Sequence, residues 1–146
     1  MSDGHMSGKL HILPVRVYYE DTDLSGIVYH ANYLRYMERG RMEFFRAAGV
    51  AEFAHIHHEE PTAWTLRKVQ IEYFRPARLN DLVEVQTRLT ELTGVRMCAE
   101  QKVFCRGEQL TQATVEACVI TLSGKPRRIP RPTYEKLAPF LCETTA

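Results

Sequence analysis

The chain has 146 residues, 45% of them hydrophobic and 25% charged, which fits one globular domain and leaves little room for a second. Nineteen basic residues against eighteen acidic ones leave a net charge of +1, so there is no global field to attract nucleic acid or an anionic membrane. The cysteines Cys98, Cys105, Cys118 and Cys142 form no CxxC pair, and neither a signal peptide nor an 18-residue apolar run is seen, so a reducing, cytoplasmic location without a membrane span is expected.

The first residues, Met1 to Gly8, are polar and glycine-rich, and residues 1–13 are expected to be a disordered or tag-derived N-terminus ahead of one domain over residues 14–146. From Val15 to Tyr19 the chain alternates and is rich in β-branched and aromatic residues, which predicts a first strand. An acidic, small-residue stretch from Asp21 to Gly26 then reads as a loop. A long helix follows, with Tyr33, Met37, Gly40 and Phe44 recurring at helical spacing beside Tyr36, Phe45 and Ala48. Asn32 is placed to cap its start and Gly49 to end it.

Residues 50–61 read as a loop with a helical turn. Four strands are then predicted: Trp64 to Phe74, Leu82 to Leu89, Val95 to Phe104, and Gln109 to Leu122. Their connections are too short for parallel crossovers, so the neighbours must be antiparallel. Pro126 to Pro132 breaks the pattern, and Thr133 to Leu141 is a candidate terminal helix. One helix cannot cover both faces of five strands. The expected fold is therefore α+β, a curved five-stranded antiparallel sheet wrapped around the helix, with an edge or face left for a partner subunit.

The chemistry concentrates in Asp21-Thr22-Asp23-Leu24-Ser25-Gly26, between a strand and the helix start. Gly26 permits positive φ or close backbone approach to a ligand. The helix start offers free N–H groups and a positive dipole end, able to polarise a carbonyl and hold a developing oxyanion. A carboxylate facing it could attack that carbonyl or activate a water. On spacing alone, turn and cap chemistry is the commoner reason for such residues before a helix.

The string Thr22-Asp23-Leu24-Ser25-Gly26-Ile27-Val28 resembles the signature of the 4-hydroxybenzoyl-CoA thioesterase family, Thr-Asp-x-x-Gly-Ile/Val-Val before the central helix. Tyr18-Tyr19-Glu20-Asp21, Val28-Tyr29-His30-Ala31-Asn32-Tyr33, Met37-Glu38-Arg39, the stretch Val69 to Asp81 and Lys125 to Pro130 are similar to its YbgC-like branch, bacterial acyl-CoA thioesterases associated with the Tol–Pal system. The resemblance implies a hotdog fold and dimers, often paired into homotetramers, with active sites at the subunit interface. It implies an acyl-CoA substrate, with acyl-carrier protein as a second thiol carrier, and requires no cofactor.

By that resemblance Asp23 is the catalytic carboxylate, as nucleophile or as base, and Asp21 is structural. His30 matches the position whose backbone N–H meets the thioester carbonyl, and Gly26, Tyr29 and Asn32 are expected to line the substrate. Leu24 is bulkier than the residue common in relatives, which bears on the shape of the acyl pocket. Two rival readings exist: a dehydratase of the same fold, which would centre on a catalytic histidine, and a non-catalytic acyl-CoA or acyl-carrier-protein adaptor at the cell envelope.

Lys125, Arg127 and Arg128 form the densest basic cluster, read either as a site for the phosphates of coenzyme A or as a solvated tail; Arg88 and Arg96 are weaker candidates. Glu38, on the helix, could reach the site. His55, His57 and His58 with Glu59 and Glu60 have partial metal-like spacing but no second ligand cluster, so a loop is expected and no metal.

Overall fold

The computed structural model describes residues 3–50, 54–55 and 60–142. In chain order the elements are β1 (His5–Ser7), β2 (Leu10–Arg16), a 3-10 turn at Tyr19–Asp21, and α1 (Asn32–Ala47). These are followed by β3 (Ala54–His55), β4 (Thr62–Tyr73), β5 (Leu82–Leu92), β6 (Arg96–Cys105), β7 (Glu108–Thr121), β8 (Pro126–Arg127) and α2 (Arg131–Leu137). All pairings between strands are antiparallel. The order across the sheet is β1-β2-β5-β6-β7-β4-β3, with β8 beside the end of β7. The last four expected strands appear as β4 to β7, whereas the first, expected over Val15 to Tyr19, lies earlier as β2 (Leu10–Arg16), because the chain turns into a 3-10 helix at Tyr19; three short strands extend the sheet.

The N-terminus corrects the expectation of disorder before Pro14. The chain is already paired at His5, where β1 and β2 form a hairpin with His5 opposite Ile12 and Ser7 opposite Leu10. Gly8, at φ +62°, opens the two-residue turn, as a Gly-X hairpin turn requires. Met6 packs against the core, and His11 is buried, its Nδ1 without a hydrogen-bond partner among the described residues. Burial pushes the His11 imidazole below its usual pKa, with Glu43 opposing. A tag-like composition hid a segment that covers one side of the helix.

The helix ends as predicted and starts otherwise. Gly49, at φ +92°, donates to the Arg46 carbonyl, and Val50 N–H reaches back to the Phe45 carbonyl. This double bond pattern closes the last turn, and Val50 and Phe45 share a hydrophobic cluster. At the other end the cap position is Ala31, without a side-chain bond, and Asn32 is the first helical residue. Asn32 does not cap because its side-chain amide donates to Asp21 Oδ1 at 2.7 Å.

Tyr33, Tyr36, Met37, Gly40, Phe44 and Phe45 are the buried face of α1. Gly40 sits where the helix crosses the sheet: a Cβ there would lie 2.8 Å from Val85 Cγ1 and 2.9 Å from Thr87 Oγ1. Beside it, the fully buried Gln101 side chain donates to the Met37 carbonyl and to Thr87 Oγ1, each at 2.8 Å, and accepts from Arg41 Nη1 at 2.9 Å. Buried amides stabilise a fold only when satisfied, and this one also fixes the helix against the sheet.

Gly40→Ala is expected to destabilise the protein. Overpacking costs about 1–3 kcal/mol, which exceeds the roughly 1 kcal/mol that alanine's helix propensity returns. The urea midpoint should therefore fall; a midpoint at or above the parent's would contradict the close helix–sheet contact.

Candidate active site

The loop between β2 and α1 is built by two aspartates with different surroundings. Asp21 is buried; its Oδ2 accepts the Tyr18 N–H at 2.8 Å and its Oδ1 accepts the Asn32 amide. The Asp21 carbonyl accepts the Tyr29 N–H at 2.9 Å. Asp21 is thus the bracket that holds the loop to the start of α1. Its carboxylate, after burial, also helps hold the Tyr36 hydroxyl well above the usual tyrosine pKa.

Asp23 is exposed at the loop tip. Its Oδ1 accepts the Ser25 hydroxyl at 2.6 Å and the Ser25 N–H at 2.8 Å, while Gly26 N–H returns to the Asp23 carbonyl at 3.1 Å. The Ser25 hydroxyl, then the Ser25 N–H, hold the Asp23 carboxyl below its ordinary pKa, with the His30 imidazole adding least. Hydrogen bonds to the charged form favour it, so Asp23 is an anion throughout the neutral range. One carboxylate oxygen is engaged by Ser25, and Asp23 Oδ2 makes no hydrogen bond among the described residues.

Gly26 has φ +79°, a region that favours glycine, and its carbonyl accepts the Leu79 N–H at 3.3 Å. Val28 N–H bonds the Ala77 carbonyl at 2.9 Å, so residues 77–79 support the loop from behind. Tyr29 and His30 are exposed, their rings 4.5 Å apart. Among the described residues nothing accepts a hydrogen bond from the backbone N–H of His30 or Ala31. The His30 carbonyl, by contrast, accepts the Tyr73 hydroxyl at 2.7 Å.

Asp23, Gly26, Tyr29, His30 and Asn32 therefore come together at one end of α1. The basic cluster does not join them within one chain. Tyr73 pairs with Thr111 and Thr62 with Thr121, so ten residue steps along β7 separate the His30 end from the Lys125 turn. At strand rise that is about 33 Å. Arg127 is held by Glu60, Nε to Oε1 at 2.6 Å and Nη2 to Oε2 at 2.9 Å, and Arg128 lies against Gly94. Arg88 and Arg96 pair with Glu100 and Glu91. His57, His58 and Glu59 lie outside the described residues.

A cavity of about 380 Å³ opens between α1 and β4, lined by Glu38, Arg41, Met42, Phe45, Trp64 and Leu66 among others. Beyond the short pairing of β3 with Thr62 and Ala63, the β4 edge from Trp64 to Tyr73 has no partner strand among the described residues. Ser25 and Tyr73 were not singled out from the sequence. Ser25 was legible, because a serine two residues after an aspartate is the pattern of a side-chain turn; Tyr73 had no local signal.

Comparison with known proteins gives a consistent result. Residues 25–112 match the family model described as the thioesterase superfamily. The acyl-CoA thioester hydrolase YbgC of Escherichia coli is 40% identical over 128 residues, covering 86% of this chain and 94% of that protein. The acyl-CoA thioesterase YbgC of Haemophilus influenzae is 39% identical over 119 residues, 81% of this chain and 87% of its own. Among solved structures, a probable thioesterase from Bartonella henselae superposes with a TM-score of 0.78 at 39% identity, covering 84% of this chain and 98% of that one.

Ser25→Ala removes the largest contribution that depresses the Asp23 pKa. A carboxylate whose pKa is lowered stays ionised further into acid, so losing that bond moves its titration up. If turnover requires ionised Asp23, the acid limb of kcat/KM should move to higher pH in Ser25→Ala. An unchanged acid limb would show that another group controls it.

Proposed function

The chain belongs to the thioesterase superfamily, and from that membership we propose that it hydrolyses acyl-CoA thioesters with Asp23 as the reacting carboxylate. The observation that carries this reading is an ionised, solvent-facing carboxylate in the loop just before two backbone N–H groups, those of His30 and Ala31, that meet no acceptor among the described residues.

In this reading the thioester carbonyl oxygen accepts from those amides. The charge that develops as the carbon becomes tetrahedral is then met by donors already in place. One such donor is typically worth about 10²–10³ in kcat. Asp23 either attacks the carbon, expelling the thiolate and leaving an acyl anhydride for water to open, or takes a proton from water as it attacks. Both routes consume one water and release the free acid and the thiol. The chemistry is the same for an acyl group carried on acyl-carrier protein.

A single chain leaves Asp23 and Leu24 open to solvent, whereas electrostatic catalysis gains from a dry site. The free β4 edge supplies a remedy. Two copies paired antiparallel along that edge form a two-fold dimer, and the Tyr73 end of one β4 then meets the Trp64 end of the other. This brings the partner's α1–β4 cavity towards the Asp23 loop as an acyl pocket. The partner's Lys125, Arg127 and Arg128 approach the same opening, where the phosphates of coenzyme A need cations.

Asp23→Asn keeps the shape and removes the charge. Free-thiol release across a panel of acyl-CoA chain lengths should show turnover in the parent and a loss of roughly 10²–10⁴ in kcat in the variant, with acyl-CoA binding retained. Parental activity in Asp23→Asn would remove Asp23 from the mechanism. No turnover of any acyl-CoA by the parent would leave an acyl-CoA binding adaptor as the function.

A further inference from the structure

We propose that Tyr73 is a positioning residue whose hydroxyl fixes the peptide between His30 and Ala31 for oxyanion binding; the proposal rests on the thioesterase reading. Tyr73 is the last residue of β4, and its O–H reaches across 43 positions of sequence to the His30 carbonyl at 2.7 Å.

That carbonyl is the acceptor half of a planar amide whose donor half is the Ala31 N–H. Holding one end fixes the direction of the other. A hydrogen bond to the carbonyl also polarises the amide and strengthens its N–H as a donor. The helix does not provide this restraint. Among the described residues no backbone N–H donates to the His30 carbonyl, and the Leu34 N–H goes to the Ala31 carbonyl at 3.1 Å instead. The peptide that precedes α1 would therefore pivot without Tyr73.

The tyrosine is itself well placed to hold still. Its ring meets Tyr33 edge to face at 5.5 Å and His30 at 6.3 Å. The Tyr33 hydroxyl in turn accepts the Ala77 N–H at 2.9 Å, and Ala77 is the residue whose carbonyl supports Val28. Burial raises the Tyr73 pKa, so its hydroxyl stays protonated and able to donate at any pH where the enzyme works. The β4 edge, the helix start and the Asp23 loop are thereby joined through one hydroxyl. Tyr73 touches no reacting atom; it acts through the peptide it holds.

Tyr73→Phe deletes that hydroxyl and keeps the ring. Acyl-CoA hydrolysis by the variant should show kcat lowered by about tenfold, a fraction of what losing a whole oxyanion donor costs. KM should be little changed, the urea midpoint near the parent's, and the acid limb unmoved. The second readout is vibrational. In the Asp23→Asn background, the carbonyl stretch of bound acyl-CoA should be shifted to low frequency by the amides, and adding Tyr73→Phe should reverse part of that shift. A parental kcat, a loss that only tracks the unfolding midpoint, or an unaltered carbonyl stretch would overturn the positioning role while leaving the hydrolase intact. Absence of hydrolysis by the parent protein would instead overturn the thioesterase reading on which it stands.

Discussion

The hydrogen bonds of the Asp21 carboxylate, to the Tyr18 N–H on one side and to the Asn32 side chain on the other, hold the start of α1 against the loop that precedes it. Everything at the site follows from that bracket. Asp21 engages the Asn32 side chain, no side chain caps the helix, and just ahead of it the His30 and Ala31 amides meet no acceptor among the described residues. Because Asp21 is buried, the loop must turn outward immediately after it, which carries Asp23 to the tip. Two carboxylates two residues apart thus take opposite roles through environment alone, one a structural acceptor and one an ionised group facing solvent.

The helix that supplies the amides has to be fixed along its length. Gly40 lets it approach the sheet closely, and Gln101 joins the Met37 carbonyl to Thr87 and Arg41 within the core. A glycine in a helix interior costs about 1 kcal/mol relative to alanine, a cost offset by the contact it permits. From the other side, the β4 edge, which past Ala63 has no partner strand among the described residues, ends at Tyr73, next to the helix start. A second copy pairing along that edge, as proposed above, would border the site directly.

Much of the fold was legible in the sequence. The two-residue alternation of β4 to β7 and the helical spacing of Tyr33, Met37, Gly40 and Phe44 each predict an element within a few residues of its observed bounds. Short connections required antiparallel order, and Gly49 marked the helix end. What escaped depended on distant partners or on composition. Asn32 looked like a cap because the pull of Asp21, eleven residues earlier, is not local. The β1–β2 hairpin was hidden by residues that resemble a tag, although Met6 and His11 pack inward. The Tyr73–His30 bond spans 43 residues and leaves no periodic trace. The Lys125 cluster was grouped with the site by its chemistry, and only the strand register shows the length of sheet between them.

The central claim is spatial: the thioester carbon of a bound substrate lies between the side chain of residue 23 and the amides that open α1. A crystal structure of the Asp23→Asn protein with an intact acyl-CoA tests it directly. The account predicts the thioester oxygen within about 3 Å of the His30 or Ala31 nitrogen, with the residue 23 side chain on the opposite face of the carbonyl. A thioester seated elsewhere, with those amides bound to water and residue 23 facing bulk solvent, would contradict it.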